Sequence, residues 1–502
     1  MKAHDNATGH TDSTPLGIVR TEVVLRTDPC RVVVRPFLPD KHIFPDGGLL
    51  DRILALTEEQ VVSTLATAYA KFDERHRNLA EVLERHFDFV AAEAWESDHL
   101  DAVSKDRQLL IGAYYTEEFA IEAAALTNPS MVPACDQTGL EPGAERFVLS
   151  LRAIGEGQTS SIEFRSGVID ARGAITIESP GAFAVTGKRT SPVFEKAVFC
   201  AKLMEMKAFG PMAKSVINPL PDRFELRQLE DAIAEVEGKR APRHLSDPTT
   251  RAIHWLATSN YDLIFPADTS LSERVIFAGS ETESHGLEDA RFVRFTDDDG
   301  IVTYYATYTA FDGVRVLPQL IETTDFVSFR VITLSGACSQ NKGAALFPRK
   351  IDGHFVALSR FDAENNYVMR TDNLRIWSSA EKIESPKFPW DLARIGNCGS
   401  PLETDAGWLV ITHGVGPFRT YSLGAMLLKI DDPNKVIGRL AEPLLAPMQD
   451  ERDGYVPNVV YSCGSMIHGD QLILPYGHAD MTTRIVKIPL DTLLGQLSSS
   501  NG

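Results

Sequence analysis

The chain is short of positive charge. Its 502 residues carry 50 Lys plus Arg against 69 Asp plus Glu, a formal net charge of -19. Nucleic acids and anionic membrane surfaces call for basic patches, so neither is expected as a partner. A small anion in a locally basic pocket stays open. Cysteine is scarce too. Cys30, Cys135, Cys200, Cys338, Cys398 and Cys463 stand far apart with no CxxC spacing. That argues against a disulfide framework or a zinc site and fits free thiols in a reducing compartment. No apolar run approaches the ~18 residues that span a bilayer. Residues 1–15 lack the apolar core of a signal peptide. A cytoplasmic location is expected.

What is present falls into blocks. Residues 1–20 read as a disordered polar leader. Residues 21–125 read as a mainly helical N-terminal segment. After a short β-like run, Val23 to Val34, apolar residues recur at three- and four-residue steps from Leu49 to about Trp95, among them Ile53, Val61, Leu65, Phe72, Leu83 and Phe87. Thr57 stands as an N-cap with Gln60 at the capping-box position. The segment carries no evident chemistry and is expected to serve packing or homo-oligomer contact.

From residue 126 to about 490 the texture is one of short alternating apolar runs. Examples are Arg146 to Arg152, Ser161 to Ile169, Arg291 to Phe295, Val302 to Ala310, Trp408 to Thr412 and Val459 to Met466. Clusters such as Asp298-Asp299-Gly300 and His468-Gly469-Asp470 separate them, so the fold class is all-β, in many short hairpins. A helical insertion is expected at about 193–240, where Phe224, Leu226, Leu229, Ile233 and Val236 line one side of Arg223 to Glu237. Residues 491–502 are left as a tail.

The densest chemistry lies in His285-Gly286-Leu287-Glu288-Asp289-Ala290-Arg291. A Gly-containing turn delivers two adjacent carboxylates to the lip of a strand, with Arg291 placed to orient one of them. A salt-bridged turn is the plain alternative. Arg146 and Arg152 share one face of an extended strand, a costly arrangement unless an anion or carboxylate lies between them. Lys342, Arg360, Arg394 and His413 stand near strand ends, the kind of basic set that a phosphate needs. Asp480 reads as a turn residue. His285 and Glu288 lack further clustered ligands, so no metal is expected.

These motifs, in order, resemble glycoside hydrolase family 130, the mannoside phosphorylases. Gly286-Leu287-Glu288-Asp289-Ala290-Arg291 is similar to that family's G-x-E-D-P-R signature, with Ala290 in place of Pro. The likeness continues through Leu346 to Ile351, Gly407 to Val415, Tyr421 to Ala425, Asp432 to Ile437 and Val456 to Val460. It closes on Tyr476-Gly477-His478-Ala479-Asp480, about residues 126 to 490 in all.

The resemblance implies a five-bladed β-propeller, which agrees with the many hairpins, since diverged blades need not show strict repeats. It implies an inverting enzyme in which inorganic phosphate, the co-substrate, attacks the anomeric carbon of a β-mannoside and releases mannose 1-phosphate. Asp289 is then the general acid, acting through a sugar hydroxyl. Asn128, Arg146, Arg152, Glu288, Tyr421 and Asp480 would contact sugar. Lys342, Arg360, Arg394 and His413 would hold phosphate. No other cofactor is implied. On chemical grounds a phosphorolytic enzyme needs a cationic cradle, whereas an inverting hydrolase needs a second carboxylate as base, ~6.5–9.5 Å from the acid. Two rivals stay open: a β-mannosidase with Glu403 or another carboxylate as base, and a carbohydrate-binding propeller that has lost catalysis, since Ala290 departs from the signature.

Overall fold

The computed structural model describes residues 16–37, 48–93, 103–238 and 247–499. With a helical content of 25%, the chain is mostly β rather than all-β. Trp95 and residues 1–15 lie outside the described residues. The end of the expected leader is not a leader. Leu16 and Ile18 are buried, and Val19–Leu25 forms a strand paired antiparallel with Thr482–Pro489.

Three of the N-terminal helices, Glu58–Phe72, Leu79–Glu93 and Lys105–Tyr114, share a core built on Val61, Leu65, Leu83, Phe87, Leu110 and Ile111. Thr57 caps the first of them, and its capping box with Gln60 is complete. Strand Val32–Pro36 pairs with Thr116–Ala120. Beside it, buried Arg31 meets Glu122 at 3.0 Å and Glu163 at 2.8 Å, which fastens this segment to the β region.

Among the described residues, that β region holds five groups of antiparallel strands. The first is Ala125–Pro133, Glu145–Ile154, Ser160–Ile169 and Ile175–Ile177. The second is Gly286–Thr296, Val302–Phe311, Val316–Thr323 and Ser328–Thr333. Gly286 joins these two through a parallel pair with Ser160. Its φ of 114° and the Ser160 backbone lying where a Cβ would stand leave room for glycine alone. The third is Ala345–Leu346, Phe355–Ser359, Asn366–Thr371 and Ala380–Glu384. The fourth is Arg394–Asn397 with Leu402–Thr404, then Gly407–Val415, Tyr421–Leu428 and Val436–Arg439. The fifth is Val460–Tyr461 with Met466–His468, then Gln471–His478, Thr482–Pro489 and Val19–Leu25.

Ala125–Pro133 packs on Gly286–Thr296, which packs on Ala345–Leu346. Phe355–Ser359 packs on Arg394–Asn397, Tyr421–Leu428 on Val460–Tyr461, and Gln471–His478 back on Ala125–Pro133. Each group thus touches the next, and the fifth touches the first. Among the described residues, none of the sheets closes on itself.

The insertion comprises Lys196–Glu205, Pro211–Ile217 and Leu226–Glu237, and a further helix, Pro248–Thr258, carries it past the expected limit of 240. All four share a core containing Phe199, Val216, Leu229, Ile233 and Ile253. The expected tail is largely a helix, Leu490–Ser499, because Leu493 and Leu497 fall on one face and are fully buried.

Antiparallel pairing has one consequence for function. In every group the start of the first strand and the end of the second lie at the same end of the sheet. Residues far apart in sequence meet there.

Candidate active site

Asp289 sits near the start of the first strand in its group, where the register slips between Glu288 and Arg291. At this bulge its backbone is left-handed, φ 57°. Asn128 occupies the same position in the preceding group, within a slip between Thr127 and Ser130 and with φ 49°. Asn and Asp tolerate this conformation better than other side chains. The two bulges turn the side chains toward each other, and Asn128 Nδ2 donates to Asp289 Oδ1 at 2.6 Å.

Arg152, at the end of its strand, donates to Glu288 Oε1 at 2.8 Å and lies 3.8 Å from Asp289 Oδ1. Lys342 pairs with the other oxygen of Glu288. Asp480 lies in the turn after Gln471–His478, again with a left-handed backbone, φ 50°. Burial raises its pKa; Arg152 opposes that rise, and Asp289 and Glu288 add to it. Asp289 shifts the other way. Burial alone would raise it, but Arg291, Arg152, Lys342 and the Asn128 hydrogen bond together hold it below the usual carboxylate range.

Arg291, 1% exposed, crosses from these carboxylates to a second cluster. Its Nη1 donates to the Asp289 carbonyl at 2.8 Å, its Nε to the Cys398 carbonyl at 2.6 Å, and its Nη2 to the Tyr461 hydroxyl at 2.9 Å. The Tyr461 ring stands edge-on to His413 at 4.9 Å, and Tyr421 stacks on His413 at 6.1 Å and 14°. His413 is fully buried. Burial, followed by the nearby Arg360, Arg291 and Arg394, depresses its pKa well below the ordinary value, so the imidazole is neutral at pH 7.

Gly396 separates His413 from Arg360, since a Cβ there would overlap the imidazole and reach 2.8 Å from Arg360 Cδ. Arg360 Nε and His413 Nε2 are buried and have no hydrogen-bond partner among the described residues. Cys398 Sγ lies 4.0 Å from His413 Nδ1. Burial pushes that thiol up to about 12, so it keeps its proton.

Of the residues singled out in the sequence, Asn128, Arg152, Glu288, Asp289, Lys342 and Asp480 form the carboxylate-rich side. Arg360, Arg394, His413 and Tyr421 gather on the basic side. Arg146 joins neither. It lies six residues along the strand from Arg152, roughly 20 Å, and its guanidinium is tied to the carbonyls of Asp136 and Thr138. Glu403 is also remote. It pairs with Arg349 at 2.7 Å and sits opposite Trp408, five residues and roughly 17 Å along the strand from His413. His285 is exposed, its ring against Phe311 at 5.9 Å. Tyr461 and Cys398 were not legible as site residues. A lone Tyr in an apolar run and a lone Cys between Asn397 and Gly399 carry no spacing signal.

A family model described as beta-1,4-mannooligosaccharide phosphorylase matches residues 266–498, so it does not reach the first strand group. A 1,2-beta-oligomannan phosphorylase of Thermoanaerobacter sp. (strain X514) is 37% identical over 217 residues, 42% of this chain and 70% of that protein. A beta-1,2-mannobiose phosphorylase of Listeria innocua serovar 6a is 30% identical over 234 residues, 44% of this chain and 63% of that protein. Among solved structures, the Listeria innocua beta-1,2-mannobiose phosphorylase in complex with beta-1,2-mannobiose aligns with a TM-score of 0.44 at 22% identity, over 76% of this chain and 99% of that one. The sequence matches thus span about two thirds of the length of these relatives.

Proposed function

The chain belongs to glycoside hydrolase family 130, the family of the β-mannoside phosphorylases, and on that premise we propose that it catalyses the reversible phosphorolysis of a β-mannoside. One observation carries the reading: the buried nitrogens Arg360 Nε and His413 Nε2 stand unpartnered on either side of Gly396, with Arg291 reaching from their neighbourhood to Asp289. A guanidinium N–H and an imidazole nitrogen so placed suit an anionic nucleophile.

In this reading Arg360, Arg394, His413 and Lys342 hold phosphate, and Asn128, Arg152, Glu288, Tyr421 and Asp480 hold sugar. A phosphate oxygen bonds to the anomeric carbon on the face opposite the leaving group. The glycosidic C–O bond breaks, and its oxygen takes a proton that originates from Asp289 and passes through a sugar hydroxyl. Inorganic phosphate is the co-substrate, and no other cofactor is invoked. Hydrolysis is disfavoured because the proposed base, Glu403, is remote, while Glu288 is held between Arg152 and Lys342 and Asp480 stands with Asp289.

The five strand groups, each touching its neighbour, support a five-bladed propeller with this site at one mouth of its axis. We place the enzyme in the cytoplasm; no helix among the described residues is long and apolar enough to cross a membrane. The N-terminal helices are the proposed surface for a homo-oligomer.

The test is phosphate dependence. Incubated with β-1,2- or β-1,4-mannobiose, the protein should form mannose 1-phosphate only when phosphate is added. Free mannose appearing without phosphate overturns phosphorolysis in favour of hydrolysis.

A further inference from the structure

On the basic side of the site, the hairpin between Gly407–Val415 and Tyr421–Leu428 ends in Pro417-Phe418-Arg419. Phe418 is 97% exposed, the highest value among the exposed large apolar side chains. Its backbone is left-handed, φ 54°, and so is that of Arg419, φ 57°. For a bulky aromatic residue this conformation is an outlier and stores strain. The loop is nevertheless closed in a regular way, with Gly416 N donating to Thr420 O at 2.9 Å and Thr420 N to Pro417 O at 3.1 Å. A fixed loop thus holds a large apolar ring in water at a backbone cost.

Its place in the fold points to a use. Val415 pairs with Tyr421, whose ring stacks on His413, so the hairpin tip stands just beyond the site residues of this group. Leu392, 64% exposed, lies on the adjoining loop, whose Ala393 N donates to the Val415 carbonyl at 3.1 Å. Tyr455, 39% exposed, belongs to the segment whose Asn458 carbonyl accepts from Tyr421 N. One side of the site is therefore rimmed by apolar groups, while its floor is ionic.

We propose that Phe418 is the platform of the acceptor subsite, against which the leaving sugar of the substrate lays the C–H face of its ring. This deepens the phosphorylase reading and rests on it. A pyranose has one apolar face and polar edges. A rim aromatic engages the face without competing for the hydroxyls, which keeps such a contact strong for the sugar and blind to phosphate.

The experiment is synthesis from mannose 1-phosphate with mannose or β-1,2-mannobiose as acceptor, comparing wild type, Phe418→Ala and Phe418→Tyr. Because the ring is exposed, its removal leaves the core intact. In Phe418→Ala the KM for the acceptor should rise roughly tenfold, with the KM for mannose 1-phosphate unchanged, and Phe418→Tyr should keep wild-type values. An unchanged acceptor KM in Phe418→Ala overturns the proposal, as does an equal rise in both KM values. A Phe418→Ala protein that changes its mass in sedimentation while keeping its acceptor KM makes the ring a subunit contact instead. If the wild type makes no product from mannose 1-phosphate with either acceptor, the phosphorylase reading itself has failed. Calorimetric titration of β-1,2-mannobiose into Asp289→Asn and Asp289→Asn/Phe418→Ala then judges the ring without turnover: equal affinities overturn its role in sugar binding.

Discussion

Asn128 and Asp289 occupy matching bulges in neighbouring strand groups, each with a left-handed backbone, and their side chains meet at 2.6 Å. The proposed acid is thus placed by strand register rather than by the proline its signature lacks at Ala290. Asn128→Ala removes a hydrogen bond to a charged oxygen and lets Asp289 turn. Turnover should fall by roughly 10–100-fold, with a lower melting temperature as well, because alanine tolerates the left-handed backbone less well and a buried hydrogen bond is lost. Asp289→Asn, which cannot donate a proton at all, should lose roughly 10²–10⁴-fold yet still bind mannobiose. Steady-state rates with phosphate in excess, beside sugar titrations, check both.

Arg291 spends all three of its donor nitrogens on the Asp289 carbonyl, the Cys398 carbonyl and the Tyr461 hydroxyl. Lysine keeps the charge but has neither the fork nor the reach to meet all three. Arg291→Lys should therefore lower stability by about 3 kcal/mol, since buried acceptors lose their partners. Activity should fall with it, because the strand bearing Asp289 is no longer tied to Cys398 and to the strand of Tyr461. Urea unfolding followed by circular dichroism reads the first effect.

Much of this was legible in the sequence because the carriers were local. Thr57 and Gln60 announce their helix, and Gly407 to Val415 is β-branched and aromatic enough to declare a strand. The strand Val316–Thr323 escaped notice because Pro318 interrupts its run. Val459 to Met466 looked continuous, but the pairing breaks between Tyr461 and Met466. Arg146 and Arg152 do share a strand face, yet a face says nothing about distance along it. Tyr461 becomes visible only when the fifth strand group is laid beside the fourth. Sequence reveals which face a residue takes; the meeting of strand ends is a property of the assembled sheets.

Gly396 offers a way to disturb the basic side alone. A methyl group there meets the His413 ring and the Arg360 stem together. Neither can move far, being buried, so Gly396→Ala should shift both unpartnered nitrogens. The KM for phosphate should rise roughly tenfold or more while the KM for the mannoside stays close to wild type. Initial rates over a grid of the two substrates separate these effects.

His413 makes a pH prediction for stability. In the unfolded chain its imidazole takes up a proton below about 6.5. In the folded protein burial and the surrounding arginines hold the pKa well below that, so the ring stays neutral. As pH falls from 6.5 towards the folded value, the unfolded state binds a proton that the folded state refuses, and stability is lost. The slope attributable to this one group approaches about 1.4 kcal/mol per pH unit. His413→Gln should show a shallower decline between pH 6.5 and 5 than wild type in matched urea titrations. Parallel curves would remove His413 from the account.

The final prediction concerns the proton that the reaction needs. Arg291, Arg152, Lys342 and Asn128 hold Asp289 below the usual carboxylate range despite its burial, so at pH 7 it is ionised and has nothing to give. A phosphate dianion held by the neighbouring basic groups would offset their field, and an added negative charge beside a carboxylate raises its pKa. Lys342 matters here because it pairs with Glu288 while the next residue, Gly343, lies against Arg360 of the proposed phosphate site. Phosphate binding should therefore be accompanied by proton uptake at the acid. Calorimetric titration of phosphate at pH 7, in two buffers of different ionisation enthalpy, measures that uptake. In Asp289→Asn the buffer-dependent part should shrink while phosphate still binds. An identical buffer dependence in the two proteins would mean that Asp289 is not the group charged for the reaction by its own co-substrate.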